Sequence, residues 1–554
     1  MNKNTDKGTR SIQMKLEKKA LGISLYLFIA SFFSERLWFN SDHLNLHNSI
    51  YIITKVMLLF TLIILGQVLY KGIIMVLQKD ENAIFFAKIF FVYFILLIAV
   101  LLLIWPGIWR WDEFWMIDGS KWFYVAAAQN FLMSFFYICC LSILPFPAGI
   151  IIIQLLCVSG MVAYFVVNIY KWIIKDKKIA SLTLIPFLLF PVIDSNLYPL
   201  RCTLYAFVEL TLLSMILFKV IEFQKEQEKK VSNIFIFVYI IFSIILSVMR
   251  TEGKYYIILA PVLYIWFLGK YSNSRQKLAV VCVVLICSLT GNNYQNKIMQ
   301  EQIGDRNTIV STLNYLQYIL KDDNLKNQET EMLDNVNKVV AIEVLEQYGP
   351  NSVWDSTKDL IRKDDYSRDD YSNFMKTYAK LVFKHPIEFM KVQVPIFFKA
   401  NAISLDYQNQ FIKETENLFD ENSQYYTQDI VVLFRDDYFS KACFSNIRKK
   451  VIQILEFKAS IFSNTPLEIF RILGYNSIPA ILCLAGFFIW FIKQKRIKAA
   501  FLFIVPLIKL PLIVATAPDS FFMYYFSIYL IGQCVLFVIL IKKVIYDKAS
   551  RLKK

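Results

Sequence analysis

The sequence predicts an all-α polytopic membrane protein of about twelve transmembrane helices, with an outer interfacial helix and a mostly helical soluble domain on the outer side. Three observations predict it. The 554-residue chain is 56% hydrophobic and 16% aromatic. Its charged residues, 19% against about 25% in soluble domains, sit in clumps between long apolar runs. Connections rich in Lys and Arg alternate with connections poor in both, the pattern that fixes orientation in a bilayer.

Apolar runs of span length lie at about 20–39, 50–70, 84–105, 147–170, 179–195, 203–221, 233–249, 255–270, 276–291, 476–493, 499–516 and 521–541. The first follows a basic stretch (Lys15, Lys18, Lys19), contains Glu35 and Arg36, and has no small-residue cleavage site, so it reads as a span and not as a cleavable signal. The basic connections are Asn2–Lys19, Lys71–Lys79, Lys171–Lys178, Lys225–Lys230, Lys270–Lys277, Lys493–Lys498 and the tail from Lys542. They are predicted to be cytoplasmic, with both termini, in a multi-pass plasma-membrane protein. The loops 40–49, 194–202, 250–254 and 517–520 then face outward.

This alternation closes only if the apolar stretch 122–144 does not cross. Were it a span, Lys171, Lys175, Lys177 and Lys178 would lie outside. The stretch is therefore expected in the outer interface, or as a re-entrant pair of short helices, with an extra span as the competing assignment. Three units follow: 1–291, a transmembrane module with an acidic outer loop at 106–121 and interfacial helices at 122–144; 292–475, an extracytoplasmic helical domain; and 476–554, the last spans and a basic tail. In the outer domain Glu331–Tyr348 reads as an amphipathic helix stopped by Gly349-Pro350. Asp369–Lys384 reads as another, with Phe374, Tyr378, Leu381 and Val382 on one face. Ile387–Ala402 is apolar enough to rest on the bilayer surface.

The net charge of +16 would point to nucleic acid in a soluble chain. Here residues 292–475 hold 22 Lys and Arg against 26 Asp and Glu, so the excess lies in the termini and short loops, where topology is set; a nucleic-acid partner is not expected. Most of the nine cysteines lie inside apolar runs and none forms a CxxC. No P-loop, GxGxxG turn, HExxH or GxSxG occurs, and His43, His47 and His385 are too scattered for a metal site. A nucleotide-driven pump is not expected.

Chemistry concentrates in the outer loop from Trp105 to Trp122, which holds five of the ten tryptophans. An aromatic belt accounts for the indoles, but a belt needs no adjacent carboxylates. Asp112 and Glu113 sit among them, where partial desolvation would raise a carboxylate toward the range of a general base. A second outer cluster holds Asp194 and Arg201, and a third holds Arg250, Glu252, Gly253 and Lys254. With Arg110, these loops gather acids and bases at one membrane depth, a pattern that suits a lipid-linked phosphate donor and a hydroxyl acceptor. Ala517-Pro-Asp519 adds a weaker fourth acid, and few charged residues are expected deep inside the spans.

At these residues the sequence resembles the GT-C superfamily of integral membrane glycosyltransferases, most closely a bacterial branch catalogued as a domain of unknown function. The matching text is Trp105-Pro-Gly with Trp111-Asp-Glu, then Leu144-Pro-Phe-Pro-Ala-Gly-Ile150 with Gln154, then the Arg-x-Glu-Gly of Arg250 to Gly253, then His385-Pro-Ile-Glu-Phe. Two spans precede the one leading to the acidic loop, whereas better-known members place that loop after the first. The resemblance implies a polyprenyl-phosphate sugar donor, a glycan or lipid acceptor, and inverting transfer on the outer face. The catalytic acid would map to Asp112 or Glu113. Arg250, with Arg201 or Arg110, would hold the leaving phosphate; Glu252, Lys254 and Asp194 would complete the substrate site. No cofactor is required, and a divalent metal bridging acid and phosphate is compatible with the scheme. The rival readings are a lipid-linked polysaccharide polymerase or ligase, a transporter or flippase, and an envelope scaffold. Neither internal repeats nor broken helices are visible for the transporter.

Overall fold

A computed structural model of the chain describes residues 17–109, 111–127, 129–225, 230–347, 361–363, 365–401, 438–455 and 467–551. The described residues are helices and turns with no named strand. Long apolar runs dictate this, because a backbone in hydrocarbon must satisfy its N–H and C=O groups within its own segment. Among the described residues, nine helices are long and apolar enough to cross a membrane, or ten if one bent pair counts as a span. The chain is a membrane-embedded helical protein.

The first module comprises α1 (Lys18–Ser34), α2 (Ser49–Leu77), α3 (Glu81–Leu103), α4 (Trp111–Lys121), α5 (Phe131–Ile143), α6 (Pro147–Ile169), α7 (Lys177–Ser181), α8 (Phe190–Asn196), α9 (Arg201–Lys225), α10 (Asn233–Met249), α11 (Tyr256–Leu268) and α12 (Ser274–Gln302). Polar caps fix several starts. Asn48 accepts from the amides of Ile50 and Tyr51, Asp80 from Ala83, and Asn273 forms a reciprocal capping box with Gln276. The bundle is graded from inside to outside: 78% of the apolar window of α9 and 61% of that of α6 is buried, against 22% in each of α1, α2 and α3. The first three helices therefore present most of their apolar surface outward, as lipid-facing helices do.

Several sequence expectations are refined. The run 179–195 is not one span: Lys177–Leu188 and Phe190–Asn196 meet at 70°, with Pro186 and Pro191 on either side of the break. A broken helix is thus present where none was expected. The stretch 122–144 is helical only over α5, about 20 Å long and too short for a ~30 Å hydrocarbon core. It packs against α1, α2, α6 and α10. The run 276–291 does not end at 291; α12 continues unbroken through Gly291 to Gln302, with no proline to interrupt it.

A second core belongs to α13 (Arg306–Lys321), α14 (Asp323–Gln328), α15 (Thr330–Asn337), α16 (Ile342–Gln347), α17 (Arg368–Lys384) and α18 (Pro386–Ala400). Ile309, Leu313, Leu316, Leu333, Val336, Phe374 and Leu381 fill it. The helix expected over Glu331–Tyr348 is broken between α15 and α16, where the Ala341 amide bonds Ile361 O at 2.7 Å; its stop at Gly349-Pro350 lies outside the described residues. α17 matches its expectation, capped by Ser367 and Asp370, with Phe374 and Leu381 buried. The remaining helices are α19 (Ser445–Leu455), α20 (Leu467–Gly474), α21 (Ile478–Lys493), α22 (Ile497–Ile504), α23 (Leu510–Thr516) and α24 (Phe526–Arg551). The last returns to lie against α9.

Candidate functional site

The acidic loop is built from the end of α3. A helix leaves its last carbonyls without partners. Here Arg448 of α19 reaches them, donating to the carbonyls of Ile104, Trp105 (3.2 Å) and Gly107 (2.9 Å). The Trp105 indole donates to Phe439 O at 2.5 Å. Gly107 has φ +102°, and a Cβ there would lie 2.1 Å from Ile151 Cδ1 and 3.2 Å from Leu197 O. Only glycine fits this turn. The next amide, of Ile108, bonds Leu197 O at 3.0 Å. Trp109 is fully buried and donates to Pro106 O.

The chain then enters α4, with Asp112 and Glu113 in its first turn, where exposed amides favour negative charge. The two acids differ. Glu113 is buried at 1% exposure, whereas Asp112 is exposed and accepts a 2.5 Å hydrogen bond from Gln129 Nε2. The expected desolvation therefore applies to Glu113 and not to Asp112. Both act on Tyr137 of α5: burial pushes its phenol up, and the charges of Glu113 and Asp112 push it further. Arg110 lies outside the described residues.

The cationic cluster starts where α10 ends. Arg250 takes an extended conformation and is 5% exposed. It donates to the Glu252 carboxylate and to Cys202 Sγ, with its guanidinium carbon 5.9 Å from the Tyr524 ring centre. Burial pushes the Glu252 carboxyl up, but Arg250, a backbone amide, Arg201 and Lys509 together hold it below the usual range. Arg201 and Lys509 thus belong to the same cluster. A Cβ on Gly253 would lie 2.2 Å from Leu246 O, so the Arg-x-Glu-Gly turn needs its glycine for close approach to α10.

Sequence reasoning missed the deepest part of this cluster. Lys509 bonds Glu209 at 2.5 Å and Ser527 Oγ at 2.5 Å, and the Glu209 carboxylate also accepts from Tyr256 (2.9 Å) and Tyr255 (3.2 Å). Both ions are essentially fully buried. The signals were a lone acid in an otherwise apolar run and a lysine between Pro506 and Pro511. Ionisable residues within spans are costly and mark function by default. A second buried pair, Lys55 and Glu35, joins α1 to α2 with Tyr51 and Ser31.

Two contact chains link the elements that carry the acids to those that carry the cations. Tyr137 donates to Pro199 O at 2.8 Å, two residues before Arg201. Asn130, next to Gln129, donates to Val248 O at 2.8 Å, two residues before Arg250. Other expected residues stand apart. Asp194 is buried and accepts from Tyr475 at 3.0 Å, and Lys254 is exposed to solvent. Two quoted motifs build structure: Gln154 donates to the carbonyls of Asn196 (3.1 Å) and Tyr198 (2.6 Å), and His385 pairs with buried Glu329 at 2.8 Å.

Among the described residues no three His, Cys, Asp or Glu side chains converge as a metal site. No protein-family model, curated protein or solved structure matches this chain.

Proposed function

We propose that the chain is a GT-C-type membrane glycosyltransferase, moving a sugar from a polyprenyl-phosphate donor to a glycan or lipid acceptor on the outer face of the membrane. The observation that carries this reading is an exposed, oriented carboxylate, Asp112, on an element linked by hydrogen bonds to the elements that carry the half-buried Arg201 and the buried Arg250, which share a cluster with Lys509. Glu252 pairs with Arg250 and Glu209 with Lys509, so the cluster carries one net positive charge, and a weakly screened setting favours an anion beside it. In this reading the bent pair, α10, and α11 together with its flanking turns over 251–271 also cross, which with the nine long helices makes twelve spans, both termini cytoplasmic and 292–475 outside.

In this reading the acceptor hydroxyl attacks the anomeric carbon as the bond from that carbon to the phosphate oxygen breaks. The hydroxyl proton passes to Asp112, and the electron pair leaves on the polyprenyl phosphate, which Arg201 and Arg250 neutralise. Asp112 is preferred over Glu113 as base because its carboxylate is open to an acceptor while Gln129 fixes its position. The residues do not form a protein-only metal cage, and no step runs through a metal. Conservative variants sort the rivals. A glycosyltransferase loses transfer with Asp112→Asn, whereas a polymerase or ligase relying on arginines loses activity with Arg201→Gln and keeps it with Asp112→Asn. A transporter is favoured by the 70° break at Leu188–Phe190 and the buried Glu209–Lys509 pair, and would move substrate without turning over donor.

A further inference from the structure

At the far end of α4 from Asp112 lies an open groove of about 570 Å³, lined by His43, Asn45, His47, Asn48, Trp122, Phe123 and Tyr124. Its shape follows from one unusual backbone. Phe123 has φ +54°, a conformation that a bulky side chain rarely adopts. The surroundings hold it there: the Phe123 ring is buried, 4.7 Å from Phe39 and 5.4 Å from Tyr51 between ring centres. The turn is closed by the Tyr124 amide on Gly119 O at 2.8 Å, and Asn40 N bonds Lys121 O at 3.1 Å, tying the α1–α2 loop to it. The consequence is that Trp122 and Tyr124 are turned outward, 45% and 51% exposed, with the His43 ring edge-on to the indole at 5.8 Å. Strain at a bulky residue that displays its two neighbours is a feature to be explained by use.

The chemistry of the lining selects the ligand. No Asp, Glu, Lys or Arg is among the lining residues, which are aromatic rings, imidazoles and amides. The asparagine side chains serve the loop itself: Asn48 caps α2, and Asn45 bonds Asp42 O and the amides of His47 and Asn48. Among the described residues the imidazoles of His43 and His47 make no hydrogen bond, and they can donate or accept to a ligand. Flat aromatic faces beside imidazole groups able to donate or accept match a pyranose, whose C–H face packs on an indole and whose hydroxyls need such partners.

We propose that this groove is a neutral-glycan subsite for the acceptor. The inference rests on the transferase reading and adds to it. Ten residues of α4 separate Asp112 from Trp122, about 15 Å along the helix. An acceptor reaching both is an oligosaccharide or longer glycan, and not a single sugar.

The test is binding of maltohexaose, cellohexaose and chitohexaose, with their disaccharides, to the full chain in nanodiscs, read by saturation-transfer NMR and tryptophan fluorescence. At least one hexasaccharide is expected to bind better than its disaccharide. Trp122→Ala should weaken that binding about tenfold or more, while Trp122→Phe keeps most of it and Trp115→Ala, an exposed indole elsewhere on α4, leaves it unchanged. Trp122 and Tyr124 are outward-facing, and Trp122→Phe guards against a folding artefact. No hexasaccharide binding to the wild type overturns the proposal. So does an effect of Trp122→Ala confined to lipid association, which would make Trp122 and Tyr124 membrane anchors. Because binding is read without turnover, glycan binding with unaltered transfer in Asp112→Asn would sink the catalytic reading alone.

Discussion

Replacing Glu209 by Gln strands the Lys509 ammonium inside the helical bundle. The side chains of the pair are 0% and 1% exposed, so the surviving charge has no solvent-exposed surface of its own. Removing one partner of such a pair costs about 3–5 kcal/mol, because the remaining charge keeps its desolvation penalty and loses its compensation. Ser527, at 2.5 Å from Lys509, is neutral and offsets only part of this. Lys509→Met should be equally damaging, since it leaves the carboxylate with only the hydroxyls of Tyr255 and Tyr256. The double variant Glu209→Gln/Lys509→Met removes both charges and should cost well below the sum of the singles, with a coupling of about 2–3 kcal/mol. Chemical unfolding in mixed micelles across the four proteins measures this cycle. Single variants within ~0.5 kcal/mol of wild type, or strictly additive effects, would refute the reasoning.

Other outcomes follow from the same contacts. Arg448→Ala removes the donor to three loop carbonyls and should lower transfer by loosening the loop that carries Asp112, with proteolysis of residues 104–111 faster than in wild type; an unchanged rate and digestion pattern would deny the clamp. Gly107→Ala forces a Cβ against Ile151 at a positive φ and should destabilise by about 1–3 kcal/mol, seen as a lower thermal midpoint. Burial pushes Glu329 up, but Lys384 and His385 pull it below the usual carboxylate range. Its contribution to the α13–α18 helical unit is therefore present above the unfolded value of about 4.3 and lost as pH falls through the lower folded value. Hydrogen exchange of α13–α18 should rise in that acid window for wild type, and Glu329→Gln should flatten the dependence. Cys443 is exposed in the segment assigned outside; restored to a cysteine-free background, it should react with an impermeant maleimide on intact cells, and protection there would invert the topology.

Much of the fold was legible because hydropathy is a local property. Most of the long apolar helices and the buried face of α17 needed only neighbouring residues. What was not legible depends on distant partners. Gln295 and Gln302 of α12 bond the backbone at Val125, Ala127 and Phe131, at and before the start of α5. No pattern within 122–144 announces those bonds. Asp112 and Glu113 looked equivalent, since adjacent residues at a helix start point about 100° apart and only packing decides which is covered. Arg448 and Lys509 carry no local signal of their roles, because their partners lie hundreds of positions earlier in the chain.

The most direct test of the central claim is sugar transfer by the purified full chain. Radiolabelled polyprenyl-phosphate sugars are mixed with total envelope glycolipid and glycan, and wild type is compared with Asp112→Asn and Glu113→Gln. The account predicts a new labelled product from the wild type, lost with Asp112→Asn while donor binding persists. Full transfer retained by both variants, or no turnover of any donor by a protein that binds them all, would contradict it.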